Sequence, residues 1–189
     1  MLAWLPSTAH APHGGVTPGL ITVALSTTIG APHNRVWRAL TDASERPIWD
    51  DRVLGQVMLA ADSLPSDRRR PMPKHRFALE PGGSGERIHW RYRLGGVPLV
   101  MREEVVSTEP RSRLKSRISM GSLCFDQTLT LHREDDETGP RTRLGMKIAV
   151  RNSIAIIGEV VPRLDVQKLT IEYVDTTLRQ VRKYCESES

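Results

Sequence analysis

The spacing of apolar residues changes once along this chain, and that change constrains the fold more than any other feature. Between Val97 and Val150 the apolar residues alternate, as in Leu123, Phe125, Leu129 and Leu131 or Leu144, Met146, Ile148 and Val150. From Leu164 onward they fall at Leu164, Ile171, Val174, Leu178, Val181 and Cys185, in steps of 3, 4 and 7. The first pattern is that of strands with one face buried, and the second is one face of a long amphipathic helix. A helix with an apolar stripe must cover it, and the strand faces upstream are the surface available. Strands follow one another without βαβ alternation, so the sheet is expected to be antiparallel and the class α+β. Pro162 precedes the helix, as a first-turn proline or as a kink.

The N-terminal half supplies the remaining elements. Leu20 to Ile29 reads as a strand. Ala31-Pro32 then opens a helix from His33 to Thr41, with Val36, Trp37 and Leu40 on one face. Asp42 and Glu45 have capping-box spacing and predict a second short helix limited by Pro47, with Trp49 closing the segment. Arg52 to Ala60 and Lys74 to Glu80 read as strands flanking a polar, proline-rich loop. Glu86 to Leu94, Gly95-Gly96 and Val97 to Thr108 read as a hairpin. Arg113 to Met120, Ser122 to Glu134 and Arg141 to Arg151 complete the set. Residues 1–18 are small, polar and rich in Pro and Gly, and are expected to form a flexible tail ahead of a single domain over residues 19–186.

Composition excludes several classes. A chain of 189 residues suits one domain. No stretch of about 18 apolar residues is present to span a membrane, and the start lacks the basic flank and apolar run of a signal peptide. Cys124 and Cys185 cannot form a disulfide framework, which favours a reducing, cytoplasmic setting. There is no metal-ligand spacing, Gly-rich phosphate loop or Ser/His/Asp order, so no metal or other cofactor is expected. The net charge is +5, but no basic run interleaves with aromatics, and the sequence assigns no nucleic-acid role.

Strand parity sorts the side chains. The inward set is Ile88, Trp90, Tyr92 and Leu94; then Val97, Leu99, Met101, Glu103 and Val105; then His75, Phe77 and Leu79, with matching sets on the later strands. The outward set holds Arg87, Arg91, Arg93, Arg102, Lys115, Arg117, Arg143 and Lys147. Polar residues on the apolar faces carry the information. These are His75, Tyr92, Glu103 and Gln127. A carboxylate among Leu99, Met101 and Val105 must be paired, protonated or wetted. Glu103 and His75 have the chemistry of an acid–base pair acting on a carbonyl compound, with Tyr92 or Gln127 at its oxygen. The competing reading pairs Glu103 with an arginine at a strand end. Asp50 and Asp51 read as strand-edge surface near the mouth of the fold.

The residues Ile29-Gly30-Ala31-Pro32, Val36-Trp37, Leu40-Thr41-Asp42 and Pro47-x-Trp49, with this order of elements, resemble the START-like helix-grip (SRPBCC) superfamily, and within it the polyketide cyclase/dehydrase family. The motif residues lie between Ile29 and Trp49, while the architecture extends from about Gly19 to Glu186. The resemblance implies a curved sheet of seven to eight strands around the terminal helix, with a ligand cavity between them. Superfamily members bind lipids, hormones and polyketides, and some cyclise or dehydrate them. It thereby implies a hydrophobic, polyketide-like ligand, turned over by a cofactor-independent cyclase/dehydratase or held by a non-catalytic carrier. Trp90, Tyr92, Met101, Ser116, Phe125, Gln127 and Met146 on the strands and Gln167 on the helix are the expected lining. An acidic carrier protein is the expected partner for the basic outer face, which alternatively makes the chain a protein-interaction module.

Overall fold

The computed structural model describes residues 21–57, 85–137, 139–150 and 165–187. The predicted tail and the predicted strand Lys74 to Glu80, with His75, Phe77 and Leu79, lie outside the described residues. The elements are β1 (Ile21–Ile29), α1 (His33–Thr41), α2 (Arg46–Trp49), β2 (Val53–Gln56), β3 (Arg87–Leu94), β4 (Val97–Glu109), β5 (Arg113–Met120), β6 (Leu123–Arg133), β7 (Thr142–Val150) and α3 (Val166–Ser187). The seven described strands form one antiparallel sheet in the order β1-β7-β6-β5-β4-β3-β2. The chain meanders from β3 to β7, β2 pairs with β3, and β1 pairs with β7 from Ile21↔Val150 to Ile29↔Thr142. Helix α3 packs on β1 and β7 and touches α1 and α2. This is the helix-grip architecture.

Local chemistry accounts for the details. Leu94 and Val97 close the β3–β4 hairpin around Gly95 and Gly96, which have φ of 55° and 85°. A two-residue turn with positive φ at both centres requires such residues. A bulge between Val105 and Ser107 shifts the β4–β5 register, and the strict inward alternation of β4 ends at Val105. The Ile29–Pro32 turn is held from two sides. Gly30 N–H donates to Glu186 Oε1 of α3 at 3.0 Å, and Thr142 Oγ1 donates to the Ala31 carbonyl at 2.9 Å.

The parity reading describes the sheet well. Trp90, Tyr92, Met101, Ile118, Leu144, Met146, Ile148 and Val150 are fully buried, and all eight outward basic residues are exposed. Val97 is an exception, exposed at the hairpin tip. Part of the outer charge is neutralised within the face, by Arg87–Glu104 at 2.9 Å, Arg117–Asp126 at 3.4 Å and Arg143–Glu134 at 3.4 Å.

Two helical details differ from expectation. Asp42 does not cap α2. It ends α1, and its Oδ1 accepts from the Ser44 N–H at 2.9 Å and the Ser44 hydroxyl at 2.6 Å, a local turn that outcompetes the cap. Pro47 sits in the first turn of α2 rather than limiting it, because a missing N–H costs nothing there. On α3, Ile171 is 44% exposed; the buried stripe instead runs through Val166, Thr170, Tyr173, Val174, Thr177, Leu178, Val181 and Cys185. Threonines fill stripe positions because their hydroxyls donate back into the helix, from Thr170 to the Val166 carbonyl and from Thr177 to the Tyr173 carbonyl.

The two isoleucines therefore differ sharply in cost. Ile118→Ala is expected to lower stability by about 2–5 kcal/mol, which at this size is about 2–4 °C of thermal midpoint per kcal/mol. Ile171→Ala is expected to stay within about 0.5 kcal/mol. Thermal unfolding followed by circular dichroism checks both.

Candidate functional site

Between α2, the inner sheet face and α3 lies a set of interior charges that hold one another. Glu103 on β4 accepts from Arg46 Nη1 at 2.9 Å and from the Trp90 indole N–H at 3.3 Å, both at Oε2. Arg46 comes from α2 and lies 5.5 Å from the Trp49 ring and 5.8 Å from the Trp90 ring. One turn on, Asp50 is fully buried at the end of α2. Its carboxylate accepts from Arg52 Nε at 2.7 Å and Nη2 at 3.2 Å, and sits 3.7 Å from Arg46 Nε. Arg52 then crosses to α3, donating to Thr177 Oγ1 at 2.8 Å and to the Tyr173 carbonyl at 3.4 Å. It lies 4.9 Å from the Tyr173 ring and 5.5 Å from the Tyr92 ring. Two guanidiniums thus meet two carboxylates. Burial works against the Arg46 charge, but Glu103, ahead of Tyr173 and Asp50, holds its pKa above the ordinary arginine value.

Beside this set is a second, less satisfied one. Ser116 on β5 stands opposite Gln127 on β6, and Gln127 Oε1 accepts from the Tyr173 hydroxyl at 3.4 Å. Tyr173 packs edge-on against Phe125 at 5.5 Å and tilted against Tyr92 at 6.4 Å. The Tyr92 hydroxyl, the Ser116 hydroxyl and Arg46 Nε are buried with no hydrogen-bond partner. Burial, reinforced by Tyr173 and Asp50, pushes the Tyr92 phenol well above its ordinary pKa, and burial likewise raises Tyr173.

The end of the grip marked by the β3–β4 turn is open to the surface. A cleft of about 330 Å³ opens there, lined by Arg52, Arg93, Leu94, Gly96, Leu169 and Tyr173 among others. Leu94, Leu169 and Tyr173 also border a narrow apolar throat between sheet and helix, where Met120, Leu123, Phe125 and Ile148 leave only about 10 Å³. Among the described residues this mouth is the roomier space, and the throat beside it is narrow.

The expected site residues distribute as follows. Trp90, Tyr92, Met101, Glu103, Ser116, Phe125, Gln127 and Met146 are all buried on the inner face. Gln167 is exposed on α3. His75 lies outside the described residues. Glu103 meets an arginine, though one from α2 at the inner face rather than at a strand end. Asp50 is interior rather than strand-edge surface, because Arg52 and Arg46 compensate its charge. Sequence reasoning missed Arg46, Asp50, Arg52, Tyr173 and Thr177. The available signal was Glu103 itself: a carboxylate on an apolar face needs a cation, and Arg46 precedes Asp50 by one helical turn. Among the described residues no group of His, Cys, Asp and Glu could hold a metal ion, and no helix is long and apolar enough to cross a membrane.

Residues 21–186 match the family model described as polyketide cyclase / dehydrase and lipid transport. No curated protein matches the sequence. Among solved structures, the chain is similar to a START superfamily protein from Mycobacterium smegmatis at TM-score 0.62 and 12% identity, covering 89% of this chain and 99% of that one. TTHA0849 from Thermus thermophilus matches at TM-score 0.58 and 21% identity, over 89% and 99%. The ZhuI aromatase/cyclase from Streptomyces sp. R1128 matches at TM-score 0.58 and 15% identity, over 89% and 94%. At these identities the likeness is one of fold.

Two outcomes follow from the buried groups. Glu103→Gln leaves Arg46 without its main counter-charge and is expected to cost about 3–5 kcal/mol, whereas replacing both with Arg46→Met and Glu103→Leu recovers most of that loss; urea unfolding of the single and double variants measures it. The raised phenol pKa values act at the alkaline end. Tyr92 and Tyr173 stay protonated in the fold but ionise near pH 10 once unfolded. Unfolding then releases protons, so stability falls as pH rises past about 10. Tyr92→Phe and Tyr173→Phe are each expected to flatten that fall and to leave the tyrosinate absorbance developed by the folded protein at that pH unchanged.

Proposed function

This chain belongs to the polyketide cyclase / dehydrase and lipid transport family, and from that premise we propose that it binds a hydrophobic, polyketide-like small molecule between the sheet and α3, entering at the β3–β4 turn. The observation supporting this reading is that the 330 Å³ cleft and the apolar throat adjoin, with Leu94, Leu169 and Tyr173 in the walls of both. Small-ligand sites are commonly apolar concavities of a few hundred Å³ with a few convergent polar groups. Entry of a ligand body requires the throat to widen. Met120, Leu123 and Leu169 around it have no branch at Cβ and can change rotamer without moving the backbone.

Binding is the reading the geometry supports best. An acid–base cyclisation or dehydration needs a group free to take or give a proton at the ligand. Glu103 instead has its Oε2 engaged by Arg46 and Trp90, so its role in this reading is to fix α2 against the sheet. The acidic carrier protein is the delivery partner this reading would employ, and the basic convex face is the surface for it.

Native mass spectrometry of protein purified from its own host is expected to show an adduct of one small apolar molecule. In vitro, Leu169→Trp narrows the junction of cleft and throat. It is expected to weaken binding of the neutral fluorophore N-phenyl-1-naphthylamine at least about 10-fold, with the thermal midpoint within about 4 °C because Leu169 is only partly buried. Unchanged affinity in that variant would place the ligand elsewhere.

A further inference from the structure

The outer face of the sheet is not evenly basic. Strand register sets His89, Arg102 and Ser119 side by side on β3, β4 and β5. It sets Arg87, Glu104 and Arg117 side by side in the next outward row, with Asp126 beyond them on β6. Neighbouring strands lie about 4.8 Å apart, so three residues in a row span about 10 Å. His89, Arg102, Ser119, Arg87, Glu104 and Arg117 together line a bowl of about 310 Å³ on the face turned away from α3. Charge in this bowl is unevenly paired. Arg87 donates from Nε and Nη2 to Glu104 Oε1 at 3.1 and 2.9 Å, and Arg117 Nε donates to Asp126 Oδ1 at 3.4 Å. Among the described residues Arg102 makes no ion pair, and the half-buried side chains of His89 and Ser119 make no hydrogen bond. Arg91 extends the cluster by one more row, again without a carboxylate. Four guanidiniums thus face two carboxylates. Like charges on neighbouring strands repel, and gathering them in a concavity focuses a positive field on one spot.

We propose that this bowl binds a phosphate dianion, free or as the monoester of a small molecule. The Arg102 guanidinium, the Ser119 hydroxyl and the His89 ring N–H are its donors, and Arg87 and Arg117 flank it. The site lies on the opposite face of the sheet from the apolar throat and stands independently of the binding reading above. A guanidinium fork matches two oxygens of a tetrahedral phosphate. Its two negative charges equal the two positive charges that the carboxylates leave unbalanced. A carboxylate ligand supplies one charge and a single planar edge. Glu104 is the opposing charge within the bowl, and Arg87 already engages it.

Inorganic phosphate, phenyl phosphate and benzoate test this, each titrated at fixed ionic strength and about pH 8, where a phosphate monoester is a dianion. The amide resonances of Arg102 and Ser119 in two-dimensional NMR report binding at the bowl itself. The wild type is expected to bind the better phosphate at least about 10-fold more tightly than benzoate. Tighter binding of phenyl phosphate assigns the monoester, and tighter binding of inorganic phosphate assigns the free ion. Arg102→Gln is expected to weaken phosphate at least about 10-fold and Ser119→Ala about 3-fold or more. Lys147→Gln removes an exposed cation of the same face outside the bowl, and is expected to change affinity by less than about 2-fold. Equal losses in Lys147→Gln and Arg102→Gln, or benzoate binding as tight as phosphate, reduce the bowl to a diffuse basic surface and overturn the site. So does the absence of binding by either phosphate up to about 10 mM. Stability gives a second readout. Phosphate is expected to raise the wild-type thermal midpoint above that in chloride of the same ionic strength, and a rise of the same size in Arg102→Gln would remove Arg102 from the site.

Discussion

The ion pairs linking Arg46, Glu103, Asp50 and Arg52 are the contact on which the arrangement of this domain depends. Arg46 and Asp50 come from a helix of a single turn, which has little hydrogen bonding of its own to hold it. Its position is set by what its side chains reach: β4 through Glu103, the approach to β2 through Arg52, and from Arg52 onward α3 through Thr177. Trp49 adds a bond from its indole N–H to the Ala39 carbonyl of α1 at 2.8 Å. Desolvating four charges is costly, and an apolar replacement could pack as stably. What the charges add is direction. A guanidinium and a carboxylate fit in one orientation, so α2, the sheet and the terminal helix meet in one register.

That direction also frames the interior around Tyr173. The satisfied charges form one flank of the interior, and the unmade hydroxyls of Tyr92 and Ser116 lie beside them. Tyr173 connects the two. Its carbonyl takes a bond from Arg52, its hydroxyl gives one to Gln127, and its ring packs against Phe125 at the throat. A displacement of Tyr173 is therefore felt at the α2 end of the charge set.

The sheet was legible from period alone, because each strand has one wet face and one dry face and the alternation of residues such as Arg117, Ile118 and Met120 records it. The helix-grip order was legible for the same reason. The site was half legible. Glu103, Ser116 and Gln127 betray themselves as polar residues at inward positions, but their partners do not. Arg46, Asp50 and Arg52 sit in a short helix and its exit, where exposed and buried charges have the same spacing. Tyr173 stands beside Val174 on the helix and reads as ordinary core. Asp42 misled because its turn with Ser44 and a helix cap share the same residue types. Ile171 misled because the true stripe runs through threonines, which hydropathy counts as polar.

The pairing of β1 with β7 has a consequence for how the molecule is made. Ile21 must find Val150, and Ile29 must find Thr142, so the first described strand waits for the last. Closing so long a stretch of chain costs entropy before any contact repays it, and topologies rich in such distant pairings fold slowly. Through most of translation β1 is an unpaired strand. Its composition makes that interval a hazard: Ile21–Ile29 is rich in β-branched residues and has no charge, Pro or Gly to discourage pairing with another nascent chain. The hairpins from β3 to β7 join neighbours in sequence and can assemble as they emerge, leaving an edge at β7 that β1 completes.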